Sequence, residues 1–106
     1  MLKVSIDMVK PGQEQKLREW LSELMQRRDE VRETFKQETV RHEQGYLLQI
    51  NGGTALMYIV EAEDLGQASK AYKNSPLPID AEHRNIMKQT LADRLPAELL
   101  YDVTLD

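Results

Sequence analysis

The chain has 106 residues, is 41% hydrophobic and carries 14 basic against 18 acidic residues, for a net charge of −4. That supports one hydrophobic core and not two, and the interspersed signs leave no basic stripe for nucleic acid or an anionic membrane. Cysteine is absent, which removes disulfides, thiolate metal sites and cysteine nucleophiles together and fits a reducing cytoplasm, the expected location.

Leu2, Val4, Ile6 and Met8 alternate with Lys3, Ser5 and Asp7, the period-two signature of a strand with one buried face. Pro11-Gly12 breaks the strand. Leu17, Leu21, Leu24, Val31 and Phe35 then recur at helical spacing, predicting one long amphipathic helix over 13–36. From Thr39 to Ile50 the pattern returns to a strand, with Gly45 as a bend or bulge. Asn51-Gly52-Gly53 supplies the positive-φ residues of a tight hairpin, and Thr54 to Glu61 forms the returning strand.

Asp64, with Gln67 three residues on, predicts the start of a second helix through Tyr72. The segment Asn74-Ser75-Pro76-Leu77-Pro78-Ile79 then turns the chain, and Asp80 is expected to cap a third helix from Ala81 to about Arg94. Pro96 stops it, and Leu99, Tyr101, Val103 and Leu105 alternate as the last strand. No apolar run approaches the roughly 20 residues that cross a bilayer, so no membrane association is expected.

The order strand, helix, hairpin, helix pair, strand predicts a single α+β domain over 1–106. Its plan is ferredoxin-like βαββαβ, a four-stranded antiparallel sheet with helices on one face and the second helical segment split in two. The other face is then bare. Val9, Leu47, Met57, Ile59 and Leu100 put apolar atoms on the parity opposite the main runs, so a homodimer formed through that open sheet face is expected.

His83, one of two histidines, is the main candidate for chemistry. With Asp80 as the cap, it falls in the first turn, where the carboxylate can orient the imidazole and the pair can shuttle a proton. The plainer account gives His83 the place that Glu or Gln fills in a capping box. Arg28 interrupts the apolar stripe of the long helix and is a candidate clamp for a carboxylate or phosphate, unless it simply reaches solvent. Trp20, Tyr46, Tyr58, Tyr72 and Tyr101 could line an apolar pocket with their polar tips, Tyr58 and Tyr101 being the candidates for ligand contact, unless they are simply core.

A metal site from His42 and His83 with Asp80 or Glu82 lacks any HxH, HxxxH or HExxH spacing, so no metal is expected. No GxGxxG, phosphate loop or GxSxG is present, and no cofactor is expected.

Val9-Lys10-Pro11-Gly12 before the long charged helix, Asn74-Ser75 leading to Pro78-Ile79-Asp80-Ala81-Glu82-His83, and the closing Glu98-Leu99-Leu100-Tyr101-Asp102 together resemble the dimeric α/β-barrel superfamily. Within it the chain is similar to an uncharacterised bacterial family. The resemblance implies two ferredoxin-like sheets packed into a barrel and a site between sheet and helices. Members of the superfamily include cofactor-free monooxygenases, haem-degrading enzymes, isomerases and sugar mutarotases. The haem-degrading Asn/Trp/His set does not transfer, because Trp20 lies on the first helix and the first strand has no Asn. Nor does the mutarotase helix-one histidine, since 13–36 contains none. Two readings follow: a homodimer that binds a small molecule between sheet and helices, or a cofactor-independent enzyme of monooxygenase, isomerase or mutarotase type using His83 as proton shuttle.

Overall fold

A computed structural model describes all residues, 1–106. It is an α+β fold with elements β1 (Leu2–Val9), α1 (Glu14–Gln26), α2 (Arg28–Glu38), β2 (Val40–Ile50), β3 (Gly53–Ala62), α3 (Leu65–Lys73), α4 (Pro78–Thr90) and β4 (Leu91–Leu95). The strands form one antiparallel sheet in the order β2-β3-β1-β4. Asn51 (φ 43) and Gly52 (φ 80) make the β2–β3 hairpin, both in the left-handed region that a two-residue turn of this kind requires. No helix is long and apolar enough to cross a membrane.

Three boundaries differ from the sequence reading. The expected single helix over 13–36 is two helices, broken at Arg27, whose backbone (φ −113, ψ 39) leaves the helical region. Arg27 makes the break useful. Its guanidinium binds Glu23, Glu30 and Glu82 at 3.0, 2.7 and 2.7 Å and lies 5.9 Å from the centre of the Trp20 ring. Periodicity missed the break because the seven-residue step from Leu24 to Val31 fits two helical turns whether or not the residues between them stay helical.

The second difference is the start of α4. Leu77 is its N-cap and Pro78 its first helical residue, a place where proline loses no hydrogen bond and its fixed φ is already helical. Asp80 therefore does not cap the helix, and His83 is a turn deeper than expected. Asp64 does cap α3, its carboxylate accepting from the Gln67 N–H at 3.0 Å.

The third is the last strand, which is Leu91–Leu95 and not 99–105. Leu91, expected on the inward side of a helix, begins β4 and pairs with Val9. Residues 96–106 carry no regular structure, and Leu99, Leu100, Tyr101, Val103 and Leu105 are exposed. Alternation in the tail is a strand pattern without a neighbouring strand in its own chain.

The sheet is also turned over relative to the expected burial. Val9 and Leu56 pack with Leu17 of α1 in the core, and Leu47, Tyr58 and Leu91 join them. Since side chains alternate along a strand, the β1 residues beneath the helices are Lys3, Ser5, Asp7 and Val9. Leu2, Val4, Ile6 and Met8 face away, and Leu2 and Val4 are 67% and 43% exposed. Met57 and Ile59 are paired with Ile6 and Val4 and share that outer face as expected. Val9 and Leu47 were expected there and lie instead under the helices, while Leu100 lies beyond the sheet.

Candidate functional site

The helices do not seal against the sheet. Between them lies a cavity of about 510 Å³, within the size range of small-molecule sites. Its floor is the polar side of the sheet, where Glu43, Val60 and Lys3 form one cross-strand row and Gly45, Tyr58 and Ser5 the next. Gly45 leaves room for the Tyr58 ring, since a Cβ at that position would come 3.1 Å from its Cε1 and press on the ring. Leu24, Val31, Phe35, Leu65 and Met87 supply apolar walls.

His83 projects from α4 into this space. The Trp20 indole N–H donates to its Nδ1 at 2.8 Å, the Tyr58 hydroxyl is 3.5 Å from its Nε2, and Tyr72 stands edge-on with ring centres 5.7 Å apart. Burial pulls the imidazole pKa down to about 4, against a smaller opposing pull from Asp80. An indole can only donate, so Nδ1 must carry a lone pair, and the neutral ring must carry its proton on Nε2. His83 thus offers an N–H to the cavity. Asp80 was expected to orient this ring; Trp20 does so instead.

Replacing Trp20 by Phe keeps the ring and removes the donor. In the wild type, histidine ¹⁵N spectra near neutral pH will show His83 as a single Nε2–H tautomer. In Trp20→Phe they will show both tautomers. A wild-type spectrum with Nδ1 protonated would refute the assignment.

Asp80 is 4% exposed and accepts from the Thr34 hydroxyl. Gln37 extends the network by donating to Ser75 Oγ at 2.8 Å, and Ser75 Oγ accepts from the Leu77 N–H at 3.2 Å. This ties α2 to the turn that starts α4. Glu38, 5% exposed, is the last residue of α2, held by Thr39 in the left-handed region (φ 59). Such a backbone is costly for a β-branched residue and persists only where neighbours fix it. The Thr39 carbonyl accepts from the Glu63 N–H at 3.0 Å and its hydroxyl from the Asp64 N–H at 3.2 Å.

Glu38 Oε2 has no hydrogen-bond partner. Burial, then the negative charges of Asp80 and Glu43, push the Glu38 carboxyl up to about 8, against a smaller opposing pull from the Thr34 hydroxyl. Burial and Asp80 push Glu43 to about 7. Burial also raises the Tyr58 and Tyr72 phenols above their ordinary range. The site thus combines a neutral imidazole donor, two phenols and two carboxyls that change protonation near neutral pH, an arrangement suited to binding polar groups and moving protons.

His83, Asp80 and Tyr58 all line the cavity. Arg28 is exposed at the start of α2, and Tyr101, 82% exposed, sits in the tail; neither lines it. Arg28 stood in an apparent gap of an apolar stripe, but the break at Arg27 puts it on another helix facing solvent. Trp20 stands among the aromatics expected at a pocket, but its bond to His83 is not foreseen; Glu38 and Glu43 are not expected there at all. Glu43 shares parity with Leu47, which the alternation assigns to the open face, so only the inverted sheet reveals it. Glu38 carries no signal, because a glutamate in a charged run at a helix end ordinarily faces water.

The fold and cavity define a small α+β protein with an acid-lined cleft, open to solvent on one side, between a four-stranded sheet and its helices. The chain belongs to a family of unknown function, DUF6176, whose model matches residues 4–106. No curated protein and no solved structure matches it.

Proposed function

We propose that the chain binds a small molecule in the cavity between sheet and helices. The observation that carries this is a cavity of about 510 Å³ lined by the half-buried His83 and by Glu38, whose buried Oε2 has no hydrogen-bond partner. Packing ordinarily eliminates a void of this size, and buried polar atoms ordinarily find partners. A thermal-shift screen of metabolites on the wild type and on His83→Ala tests it. The expected result is a ligand that stabilises the wild type by several degrees and the variant much less. A screen in which every hit stabilises both equally would count against the site.

The strand order β2-β3-β1-β4 supports a ferredoxin-like plan, and the outer sheet face supports a homodimer. Val4, Ile6, Met57 and Ile59 lie together on that face without a charge among them, a surface that water disfavours and that two-fold pairing with a second copy would cover. Sedimentation of the wild type should give a dimer, and Ile59→Lys, which places a charge at the centre of the patch, a folded monomer. A monomeric wild type at micromolar concentration would rule the pairing out.

A second reading, cofactor-independent proton transfer, draws support from Glu38 and Glu43, whose pKa values near 8 and 7 suit an acid and a base. In this reading the carboxyls move the proton and His83, first considered as the shuttle, steadies a substrate oxygen through Nε2–H. Any ligand from the screen that is converted by the wild type and not by Glu43→Gln would establish it.

A further inference from the structure

We propose that the ligand is a small organic cation, an ammonium on an apolar body, with its nitrogen seated between Glu38 and Glu43. The proposal rests on the reading of the cavity as a binding site and names what that site selects. Three carboxyls, one each from α2, β2 and α4, face the same space: Glu38, Glu43 and Asp80. Asp80 is satisfied by Thr34, but Glu38, only 5% exposed, leaves Oε2 with no partner.

The chain brings no cation to them, for none of its ion pairs includes any of the three. The basic side chains that line the cavity are engaged or lie where it opens to solvent. Arg94 binds Asp7 on the floor at 3.0 Å, and Arg84 binds the carbonyls of Tyr72 and Ser75 at 2.6 and 3.2 Å. Lys3 and Lys88 are exposed. The other titratable groups facing the acids, Tyr58, Tyr72 and His83, are neutral near pH 7, each kept so by burial.

Buried carboxylates without a counter-charge are costly, so without a bound cation Glu38 and Glu43 keep protons up to about neutral pH. A ligand ammonium supplies the missing charge, forms charge-assisted hydrogen bonds and displaces those protons. A metal ion fits poorly, since no three His, Asp or Glu side chains are grouped to hold one and Leu24, Val31 and Phe35 line the same space. Those walls suit an apolar body, and the rings of Tyr58 and Tyr72 favour a cation over a neutral group.

The test compares 2-phenylethylammonium with 2-phenylethanol and 3-phenylpropionate on the full chain, by thermal shift and calorimetry at about pH 6.5 and 8.5. The amine alone should stabilise the protein, bind more tightly at the higher pH, and release protons, seen as a heat that depends on the buffer. Glu38→Gln and Glu43→Gln keep the shape and remove the charge, and each should weaken the amine by about tenfold. Stabilisation by the alcohol equal to that by the amine, and lost in His83→Ala, would overturn the cation and leave the cavity reading standing. Amine binding that survives the double Gln variant, or that releases no protons, would also overturn it. The proton release is read on the wild type, so the result does not depend on the variants folding. Failure of all three probes up to about 10 mM, an affinity weaker than about −3 kcal/mol, would overturn both readings.

Discussion

Denaturant unfolding will show the protein more stable at pH 5 than at pH 8.5, the reverse of ordinary acid sensitivity. The sign follows from proton counting. Glu38 and Glu43 titrate at about 8 and 7 in the fold, against 4.5 unperturbed, so above pH 4.5 the folded state holds protons that the unfolded chain gives up. Stability therefore falls as pH rises, by about 1.4 kcal/mol per pH unit for each group, until each has titrated in the fold. His83 works the other way. Lowered from 6.5 to about 4, it withholds a proton that the unfolded chain takes up, so its contribution grows from pH 4 to 6.5. Two protons held against one withheld leave a net fall over pH 4.5 to 6.5, and the fall steepens once His83 drops out. The total is on the order of several kcal/mol. Glu38→Gln and Glu43→Gln should each flatten the profile, and a wild-type curve rising from pH 5 to 8 would show that these carboxyls are ionised in the fold.

The largest loss from a single truncation is expected at Leu17. It is fully buried on α1 and packs with Val9 of β1 and Leu56 of β3, so it joins the first helix to the two central strands. Leu17→Ala removes apolar burial and leaves a void that this tight three-residue cluster cannot close. The expected cost is about 3 kcal/mol, which lowers the midpoint of thermal unfolding by roughly 10–20 °C in a domain of this size. Met25→Ala, on the same helix at a side chain 57% exposed, should change stability by less than about 0.5 kcal/mol. Equal effects at the two positions would show that α1 is not anchored through Leu17.

Both expectations reflect an unusual division of the sheet. On β1 every apolar residue but Val9 faces outward, and Lys3, Ser5 and Asp7 face the helices with it. A strand read alone displays two alternating sets, and hydrophobicity assigns the apolar set to the core. Here the helices cover the polar set, and this is why a cavity with titratable walls exists under them. The same logic explains the tail, where 99–105 alternates like a strand while the edge of the sheet beside β1 is filled by Leu91–Leu95.

Of the residues that line the cavity, His83, Asp80 and Tyr58 stand out in the sequence, because imidazole is rare in this chain and the proline-paced turn marks the helix that carries it. The Trp20–His83 bond and the burial of Glu38 and Glu43 do not. Trp20 meets His83 across 63 positions of sequence, and Glu38 becomes unusual only because α2 ends in a left-handed Thr39 that is held from α3's approach. Nothing local distinguishes such a glutamate from one in water.

Local sequence specifies β1, the β2–β3 hairpin with its Asn51-Gly52 turn, the Asp64 cap of α3 and the α+β class. All of these depend on residues within a few positions of one another, where periodicity, turn conformations and capping bonds act. Long-range packing sets which face of the sheet the helices cover, where the long helix breaks, which residue holds the imidazole, and that Glu38, Glu43 and Asp80 line one cleft. Those outcomes depend on burial and on charges brought together from distant parts of the chain, and neither is defined until the helices have packed on the sheet.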